Sequence, residues 1–465
     1  DPRPPSWGLN SQLVEQDGRL FERVWKIDGM YDPAVRRMVE WLEKAAGVAE
    51  NPKQAEVIQA LIEYYRTGDL RTFDRYCILW VEDTTSTVDF INGFIEVYND
   101  PLGFKGSYES LVYFTDPVAT RRIATLSDNA QWFEDNSPIL EEHKKPNVRG
   151  ISARVITVAG EAGDSSPSTP IGINLPNANW IRAEHGSKSV NLGNIVHAYN
   201  ESAKQSGVLE EFAFSDEEIQ RAKEFGSLAD NLHTDLHEVI GHASGRLEPG
   251  VGRPSETLKA YASTLEEARA DLVALYFILD PKLLELGVMP SLEVGKAAYD
   301  DYIRNALLVQ LARLKPGENL EEDHMRNRQM IALWAYRQGR ADGAVDRVVR
   351  EGRTYFVIRD YARLRDLFAR LLREVQRITS QGDYEAGRSL VEEYGVRVDS
   401  DLHTEVLERW AKLKRAPYAG FINPVLRPLR SDEGEITDVV VEYPEDFMEQ
   451  MLYYGENYTF LPVGP

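Results

Sequence analysis

Residues 231–245 read Asn-Leu-His-Thr-Asp-Leu-His-Glu-Val-Ile-Gly-His-Ala-Ser-Gly and hold three of the eight histidines in the 465-residue chain. His237 and His242 flank Glu238 and are five positions apart. In a regular helix, side chains five apart point about 140° away from each other, whereas side chains four apart differ by about 40°. The two histidines can therefore bind one metal ion only if the helix absorbs an additional residue, for instance as a single-turn π-bulge. Gly241 reduces the cost of that distortion.

The spacing is one residue longer than in H-E-x-x-H, the pattern in which two histidines bind zinc and the glutamate acts on water. Two alternatives remain open at this point. His233 and His237 are four apart and would form the metal pair in a regular helix. Otherwise, all three histidines are ordinary polar side chains of an amphipathic helix.

A second stretch, residues 265–276, reads Leu-Glu-Glu-Ala-Arg-Ala-Asp-Leu-Val-Ala-Leu-Tyr and predicts another helix. Glu267 and Asp271 share one face, and the alanines beside them allow a neighbouring helix to approach closely enough to receive a carboxylate. The alternative is a solvated acidic stripe. For Glu266 the alternative is a capping box that begins at Ser263.

The two stretches together resemble the paired signatures H-E-x-x-G-H and E-E-x-R-A-E/D of the dipeptidyl peptidase III family of zinc metallopeptidases, in a bacterial-type form. The resemblance implies one zinc ion per chain. It also implies a set of roles: zinc ligands His237, His242 and Glu267, a catalytic acid/base Glu238, and Glu266 and Asp271 as carboxylates that orient the ligand histidines.

Two segments before these motifs also resemble the family. Residues 88–103 match the stretch ending G-F-I-E-x-Y-x-D-P-x-G, in which Asp89 corresponds to an acid of the substrate cleft. Ile91 falls where relatives carry a tyrosine, so a hydroxyl that relatives offer to the substrate is missing there. A G-I-N-x-P-N string implies that Asn174 and Asn177 bind the substrate N-terminus. The alternatives are a surface carboxylate for Asp89 and simple turn chemistry for the asparagines.

After the motifs, His324-Met-Arg-Asn-Arg328 resembles the H-M-x-x-R pattern of the same family. The resemblance implies that His324 stabilises the transition state and that Arg328 contacts the substrate. The alternatives are a surface histidine on a charged helix and an arginine that serves only as an ion-pair partner.

Composition excludes several classes of protein. The chain has 53 basic and 75 acidic residues, a formal net charge of −22, which argues against nucleic acid or an anionic membrane as a partner. The electrostatic field of this negative charge favours a ligand with a cationic end, such as a peptide amine. Alternatively, the acidic residues only keep the protein soluble. Cys77 is the single cysteine, so there is no disulfide framework and no cysteine-based zinc site. No apolar run approaches the length of a membrane span.

We therefore expect an α+β fold that is predominantly helical, with two lobes and a wide cleft between them. Residues 1–104, 150–195 and 413–465 are expected to form a mixed lobe with β structure that binds the substrate N-terminus. Residues 105–149 and 196–412 are expected to form the helical, zinc-binding catalytic lobe.

The expected function is that of a zinc-dependent exopeptidase that releases dipeptides from short peptides with a free N-terminus. The alternatives are a peptide-binding protein with structural zinc and a zinc hydrolase of a non-peptide amide. We expect a monomer, with a dimer as the alternative. The cytoplasm is the expected location, or the periplasm or exterior if a leader has been removed. Relatives usually carry a further segment before the point where this chain starts.

Overall fold

A computed structural model gives the fold of the chain. The structure describes residues 7–148, 154–166, 169–170, 172–196, 198, 206–340, 343–413, 421–444 and 446–459. Two compact units divide the chain, and each is built from segments that are distant in sequence. Unit 1 consists of Asp1–Pro117, Arg154–Ala198 and Pro417–Pro465, and unit 2 consists of Val118–Ala153 and Tyr199–Ala416.

Helices dominate the chain. In order, they are α1 (Asp32–Ala46), α2 (Pro52–Thr67), α3 (Leu70–Glu82), α4 (Pro117–Asp128), α5 (Ala130–Asp135), α6 (Asn179–His185), α7 (Val208–Phe212), α8 (Asp216–Asp235), α9 (Pro254–Thr257), α10 (Ala262–Phe277), α11 (Lys282–Glu285), α12 (Glu293–Leu307), α13 (Asp323–Gly339), α14 (Tyr361–Gln381), α15 (Tyr384–Val391), α16 (Ser400–Trp410) and α17 (Phe447–Tyr458). Two π-helical segments, Leu236–Gly241 and Glu392–Val396, follow α8 and α15.

The strands are β1 (Ser11–Gln16), β2 (Arg19–Val24), β3 (Val88–Glu96), β4 (Ser107–Thr115), β5 (Arg154–Gly163), β6 (Gly172–Leu175), β7 (Lys188–Leu192), β8 (Val345–Arg350), β9 (Arg353–Ile358), β10 (Val425–Arg430) and β11 (Ile436–Glu442). Unit 1 holds a five-stranded sheet of order β3-β4-β5-β7-β6, in which only β5 and β7 are parallel. The pairs β1–β2, β8–β9 and β10–β11 are separate antiparallel hairpins. The expected α+β class, predominantly helical, is confirmed.

Unit 1 takes in residues 105–117, which we expected in the zinc-binding lobe. The reason is that β4 lies in the middle of the sheet, paired with β3 on one side and β5 on the other. A strand with two partners uses both rows of its backbone hydrogen-bonding groups, so β4 is held within this sheet.

Local sequence explains where the helices begin and end. The side chain of Asn51 accepts a hydrogen bond from the backbone of Gln54 at the start of α2, and Pro52 occupies the first helical position, where a missing N–H costs nothing. The helix ends at Gly68, whose φ of 70° is left-handed. Ser215 caps α8 in the same way, through the backbone N–H of Glu218.

Helix α10 is the central element of unit 2. Most of its residues are buried, and they include Leu265, Ala268, Leu272 and Leu275, none of which is exposed to solvent. It packs against α13, α14 and the π-helical segment Leu236–Gly241. A helix that is apolar on nearly all sides belongs inside a fold, and the polar side chains that it carries must therefore find partners there. Among the described helices of the whole chain, none combines the length and apolarity that crossing a bilayer requires.

Candidate metal centre

The π-helical segment Leu236–Gly241 carries His237 and ends just before His242. Its wider turn takes up the additional residue, so the rings of His237 and His242 lie with centroids 4.8 Å apart. The predicted π-bulge is thus confirmed. Gly241 permits the close approach of α10, because a Cβ atom there would lie 2.7 Å from the Cα of Ala270.

Glu267 of α10 completes a group of three residues with the two histidines. One ligand atom from each of His237, His242 and Glu267 lies within 4.8 Å of the others. The Oε2 atom of Glu267 is 3.2 Å from Nε2 of His237. It is buried and has no well-formed hydrogen bond among the described residues.

These residues fit zinc. Ligand atoms about 2.0 Å from a tetrahedral zinc are about 3.3 Å apart, which matches the separation of the His237 and Glu267 atoms. Two imidazoles and one carboxylate are also a ligand set that zinc enzymes use while they leave a fourth position open. An ion at this point would satisfy the buried carboxylate oxygen of Glu267.

The other ring nitrogen of each histidine is held by a carboxylate. Nδ1 of His237 is 2.7 Å from Oδ1 of Asp271, and Nδ1 of His242 is 2.9 Å from Oε1 of Glu266. Because an ionised carboxylate only accepts hydrogen bonds, both Nδ1 atoms donate and both Nε2 atoms are left for a metal. The capping-box alternative for Glu266 is wrong, because α10 begins at Ala262 and Ser263 lies inside it.

Burial and charge set the protonation of this group. Burial alone would lower the pKa of His237, but the hydrogen bond to Asp271 and the close carboxylate of Glu267 raise it to about 10. Burial would likewise raise the pKa of Asp271, yet hydrogen bonds from His233 and His237 hold it well below its usual range. The raised pKa favours the protonated imidazole, so a metal that binds Nε2 would have to displace a proton.

The alternative group of His233, His237 and Asp271 also lies close enough to hold an ion. Its carboxylate, however, is already saturated. Oδ1 of Asp271 faces His233 and His237, and Oδ2 accepts hydrogen bonds from Tyr302 and Asn327. A metal there would have to displace one of these donors, so the group with His242 and Glu267 fits an ion better.

Glu238 and His324 are the two residues inferred to act in catalysis beside this group. Glu238 is half-buried, and its charge contributes to the raised pKa of His237. His324 stands near the start of α13, with Nδ1 3.4 Å from Oε2 of Glu267 and 54% of its side chain exposed. Arg328 is one helical turn further along α13 and is half-buried.

Arg269 was not singled out in the sequence analysis, yet it fixes Glu266. Its guanidinium bonds both carboxylate oxygens of Glu266, with Nε 3.1 Å from Oε2. Its Nη1 donates to the carbonyls of Gly241, at 2.7 Å, and Ser244, at 2.6 Å. The arginine thus ties the end of the π-helical segment to the carboxylate that orients His242. In the sequence, the signal for such a role is an arginine that stands among the apolar residues of a predicted helix, because arginine is almost never fully buried without a partner.

In unit 1, Asp89 is closed off from solvent, with 4% exposed. It pairs across the sheet with Tyr113, whose hydroxyl is 3.1 Å away, and it accepts from Trp80 Nε1 at 3.0 Å and Lys188 Nζ at 2.9 Å. The ammonium of Lys188 neutralises the buried carboxylate. A substrate amine would therefore have to displace an internal partner of Asp89.

Asn174 and Asn177 are both exposed in unit 1. The amide of Asn177 is 3.0 Å from Oε1 of Glu96. Beside Glu96, burial raises the pKa of Glu109 to about 7. Asn177 and the buried Ile91 also line a mainly apolar cavity of about 480 Å³ together with Trp80 and other side chains. The roles inferred for these residues stay predictions.

Comparison with known proteins places the chain among peptidases. A model of peptidase family M49 matches residues 12–249, just over half of the chain. Dipeptidyl peptidase 3 of Mus musculus is 28% identical over 417 residues, which cover 80% of this chain and 54% of the mouse protein. The protein of the same name from Homo sapiens gives the same identity and coverage. This chain thus spans about half the length of the curated relatives it matches.

A solved structure resembles most of the chain. DPP III from Caldithrix abyssi superposes with a TM-score of 0.70 at 24% sequence identity, covering 87% of this chain and 73% of that one. At this identity the likeness describes the fold alone.

Proposed function

The chain belongs to peptidase family M49, and from that membership we propose that it is a zinc-dependent exopeptidase that releases dipeptides from the N-terminus of short peptides. One observation carries the proposal. His237, His242 and Glu267 form a three-residue group that fits zinc, and Glu238 follows the first ligand directly in sequence. A purely structural zinc site more often closes its fourth position with a protein ligand and needs no base.

The residues then divide the chemistry among them. When bound, zinc supplies a Lewis acid that lowers the pKa of water and stabilises negative charge on the substrate carbonyl. Glu238 accepts the proton from the water that attacks the carbonyl carbon, and it returns that proton to the nitrogen as the C–N bond breaks. His324, close to Glu267, donates to the developing oxyanion. The products are a carboxylate and a free amine.

The dipeptide register is the finer part of the proposal. It depends on Asn174 and Asn177, to which the family resemblance assigns the peptide's α-amine, and on an acid that balances its charge. Because Asp89 is internally paired, Glu96 beside Asn177 is the carboxylate that the structure offers to such an amine. A peptide whose amine is blocked should then bind poorly and resist cleavage.

A second candidate function is a peptide-binding protein with zinc but little catalysis. The internal pairing of Asp89 and the isoleucine in place of the family tyrosine favour it, because both reduce the polar contacts available to a substrate. Hydrolysis of a non-peptide amide would use the same zinc group and differ only in substrate.

One experiment separates these functions. Dipeptide release is measured on short peptides with free and with acetylated N-termini, and zinc content is determined on the same sample. We expect zinc near one per chain and dipeptides from the free-amine series only. Zinc near one without cleavage of either series would support the binding protein or the non-peptide hydrolase. Equal cleavage of both series would contradict the exopeptidase register.

A further inference from the structure

The carboxylate of Asp271, on α10 inside unit 2, receives two donors on each oxygen. Oδ1 lies 2.7 Å from Nδ1 of His237 and 3.1 Å from Nε2 of His233. Oδ2 accepts from the hydroxyl of Tyr302 at 2.8 Å and from the amide nitrogen of Asn327 at 2.9 Å. A carboxylate has about four lone-pair sites, so this one is fully used.

We propose that Tyr302 and Asn327 are positioning residues for the metal group, which consists of His237, His242 and Glu267. Both residues hold Oδ2 of Asp271, and this keeps Oδ1 directed at His237. The inference depends on the zinc site of the proposed function, but not on peptide cleavage. The consequence is a fixed ring plane and tautomer for His237, so that its Nε2 faces Glu267. The side-chain hydrogen bonds of both residues go to Asp271, not to His237, His242 or Glu267.

The rotation of a carboxylate explains why two further donors are needed. The last torsion of an aspartate is broad, so the group turns easily when only one of its oxygens is held. His233 and His237 both bond Oδ1, so a rotation of the carboxylate would move Oδ1 away from its position opposite His237. Tyr302 on α12 and Asn327 on α13 oppose that rotation from two separate helices, and both are buried.

Asn327 shows that this bond decides how the residue is oriented. Its Oδ1 is buried and has no hydrogen-bond partner among the described residues, whereas its Nδ2 donates to Asp271. A buried amide oxygen without a donor costs free energy, and native proteins tolerate few such groups. The orientation of the amide is therefore set by Asp271, since the reverse orientation would place one oxygen against another.

Tyr299 provides a matched control one turn earlier on α12. Its side chain is completely buried, and its hydroxyl donates to the backbone carbonyl of Leu275 at 2.7 Å instead of to Asp271. Removing either hydroxyl leaves one buried acceptor on α10 with a donor fewer. Of these two hydroxyls, only that of Tyr302 bonds the carboxylate that orients His237.

The test measures zinc affinity of the full chain by competition with a chromophoric chelator. Removing a group that orients a metal ligand typically costs about 10 to 100-fold in metal affinity. We expect a loss of that order for Tyr302→Phe and for Asn327→Leu, and wild-type affinity for Tyr299→Phe. The visible spectrum of the cobalt-substituted chain should change in the first two variants only, because the geometry of His237 changes.

Thermal unfolding of the zinc-free chains separates positioning from folding. Tyr302→Phe and Tyr299→Phe should lower the unfolding temperature to a similar extent, while only the first weakens zinc. Equal zinc affinity and equal cobalt spectra in all variants would overturn the positioning role and leave the zinc site intact. A wild-type chain that binds no zinc would overturn the role together with the zinc site. Absent peptidase activity with normal zinc affinity would affect only the proposed function.

Discussion

Gly241 and Ala270 meet backbone to backbone: a Cβ atom on Gly241 would lie 2.7 Å from the Cα and 2.8 Å from the carbonyl oxygen of Ala270. This contact fixes the distance between the π-helical segment, which carries His237 and leads into His242, and the helix that carries Glu267. It also positions the carbonyl of Gly241 to accept from Arg269 at 2.7 Å. The distance between Glu267 and the two histidines thus depends on the absence of a side chain at Gly241.

Gly241→Ala should therefore lower both the stability of the chain and its zinc affinity. The new methyl group has backbone in its way, and such overpacking typically costs about 1–3 kcal/mol. Gly226→Ala is the matched control, because Gly226 lies inside α8 with nothing within 4 Å of an added Cβ. It should be neutral or stabilising by up to about 1 kcal/mol. Urea unfolding and zinc titration check both variants, and wild-type behaviour of Gly241→Ala would contradict the spacing argument.

Glu238→Gln should retain zinc near one per chain and lose most turnover. The amide keeps the size of the side chain but cannot accept the proton of the attacking water, and a general base typically contributes about 10²–10⁴-fold to the rate. Dipeptide release and metal content are measured on the same preparation. A variant that cleaves at a rate close to wild type would remove Glu238 from the proposed role.

His237→Ala should lose the metal, whereas His233→Ala should keep it. His237 presents Nε2 toward Glu267. His233 instead faces Asp271, whose carboxylate is already saturated with hydrogen bonds. Zinc content after dialysis against a weak chelator distinguishes the variants. The opposite result, with zinc lost in His233→Ala and kept in His237→Ala, would support the pair with four-residue spacing.

Glu161→Gln should stabilise the chain at pH 8 more than at pH 5. Burial raises the pKa of Glu161 in β5 to about 7, although the hydroxyl of Thr169 donates to it. A raised carboxyl pKa means that the folded state favours the protonated form, whose stabilising effect is complete below about pH 4.5 and is lost as the pH rises through 7. The amide imitates the protonated group at every pH, so the variant avoids that loss.

The difference in unfolding free energy between Glu161→Gln and wild type should grow by at most about 3 kcal/mol between the two pH values. Urea unfolding at pH 5 and pH 8 measures it. Glu15→Gln, on the exposed surface of β1, controls for the loss of one negative charge. A difference that is the same at both pH values would show that Glu161 is not protonated in the folded chain.

Sequence reasoning worked where geometry left few choices. Five-residue spacing of His237 and His242 is incompatible with a shared site on a regular helix, so a π-helical turn follows from the spacing once both histidines are taken to bind one ion. The small residues around Glu267 likewise predicted a close helix contact, which Gly241 and Ala270 make.

Sequence reasoning failed where a partner is distant in the chain. Tyr302 and Asn327 meet Asp271 from two other helices, and no local motif in the sequence connects either residue with Asp271. Lys188 reaches Asp89 from another strand of the sheet, so their pairing depends on strand order and register. Local motifs can also mislead, since a plausible capping box at Ser263 lies inside α10.

The sequence of the π-helical segment differs from the shorter zinc-binding motif H-E-x-x-H by a single residue. Deleting the codon for Ile240 would leave His-Glu-Val-Gly-His, whose histidines face the same side of a regular helix. A single in-frame codon therefore separates the two zinc-binding motifs. In a regular helix an inserted residue turns everything downstream by about 100°. Here the π-helical segment ends at Gly241 and a loop follows it, so the added residue redirects His242 without turning a further stretch of the same helix.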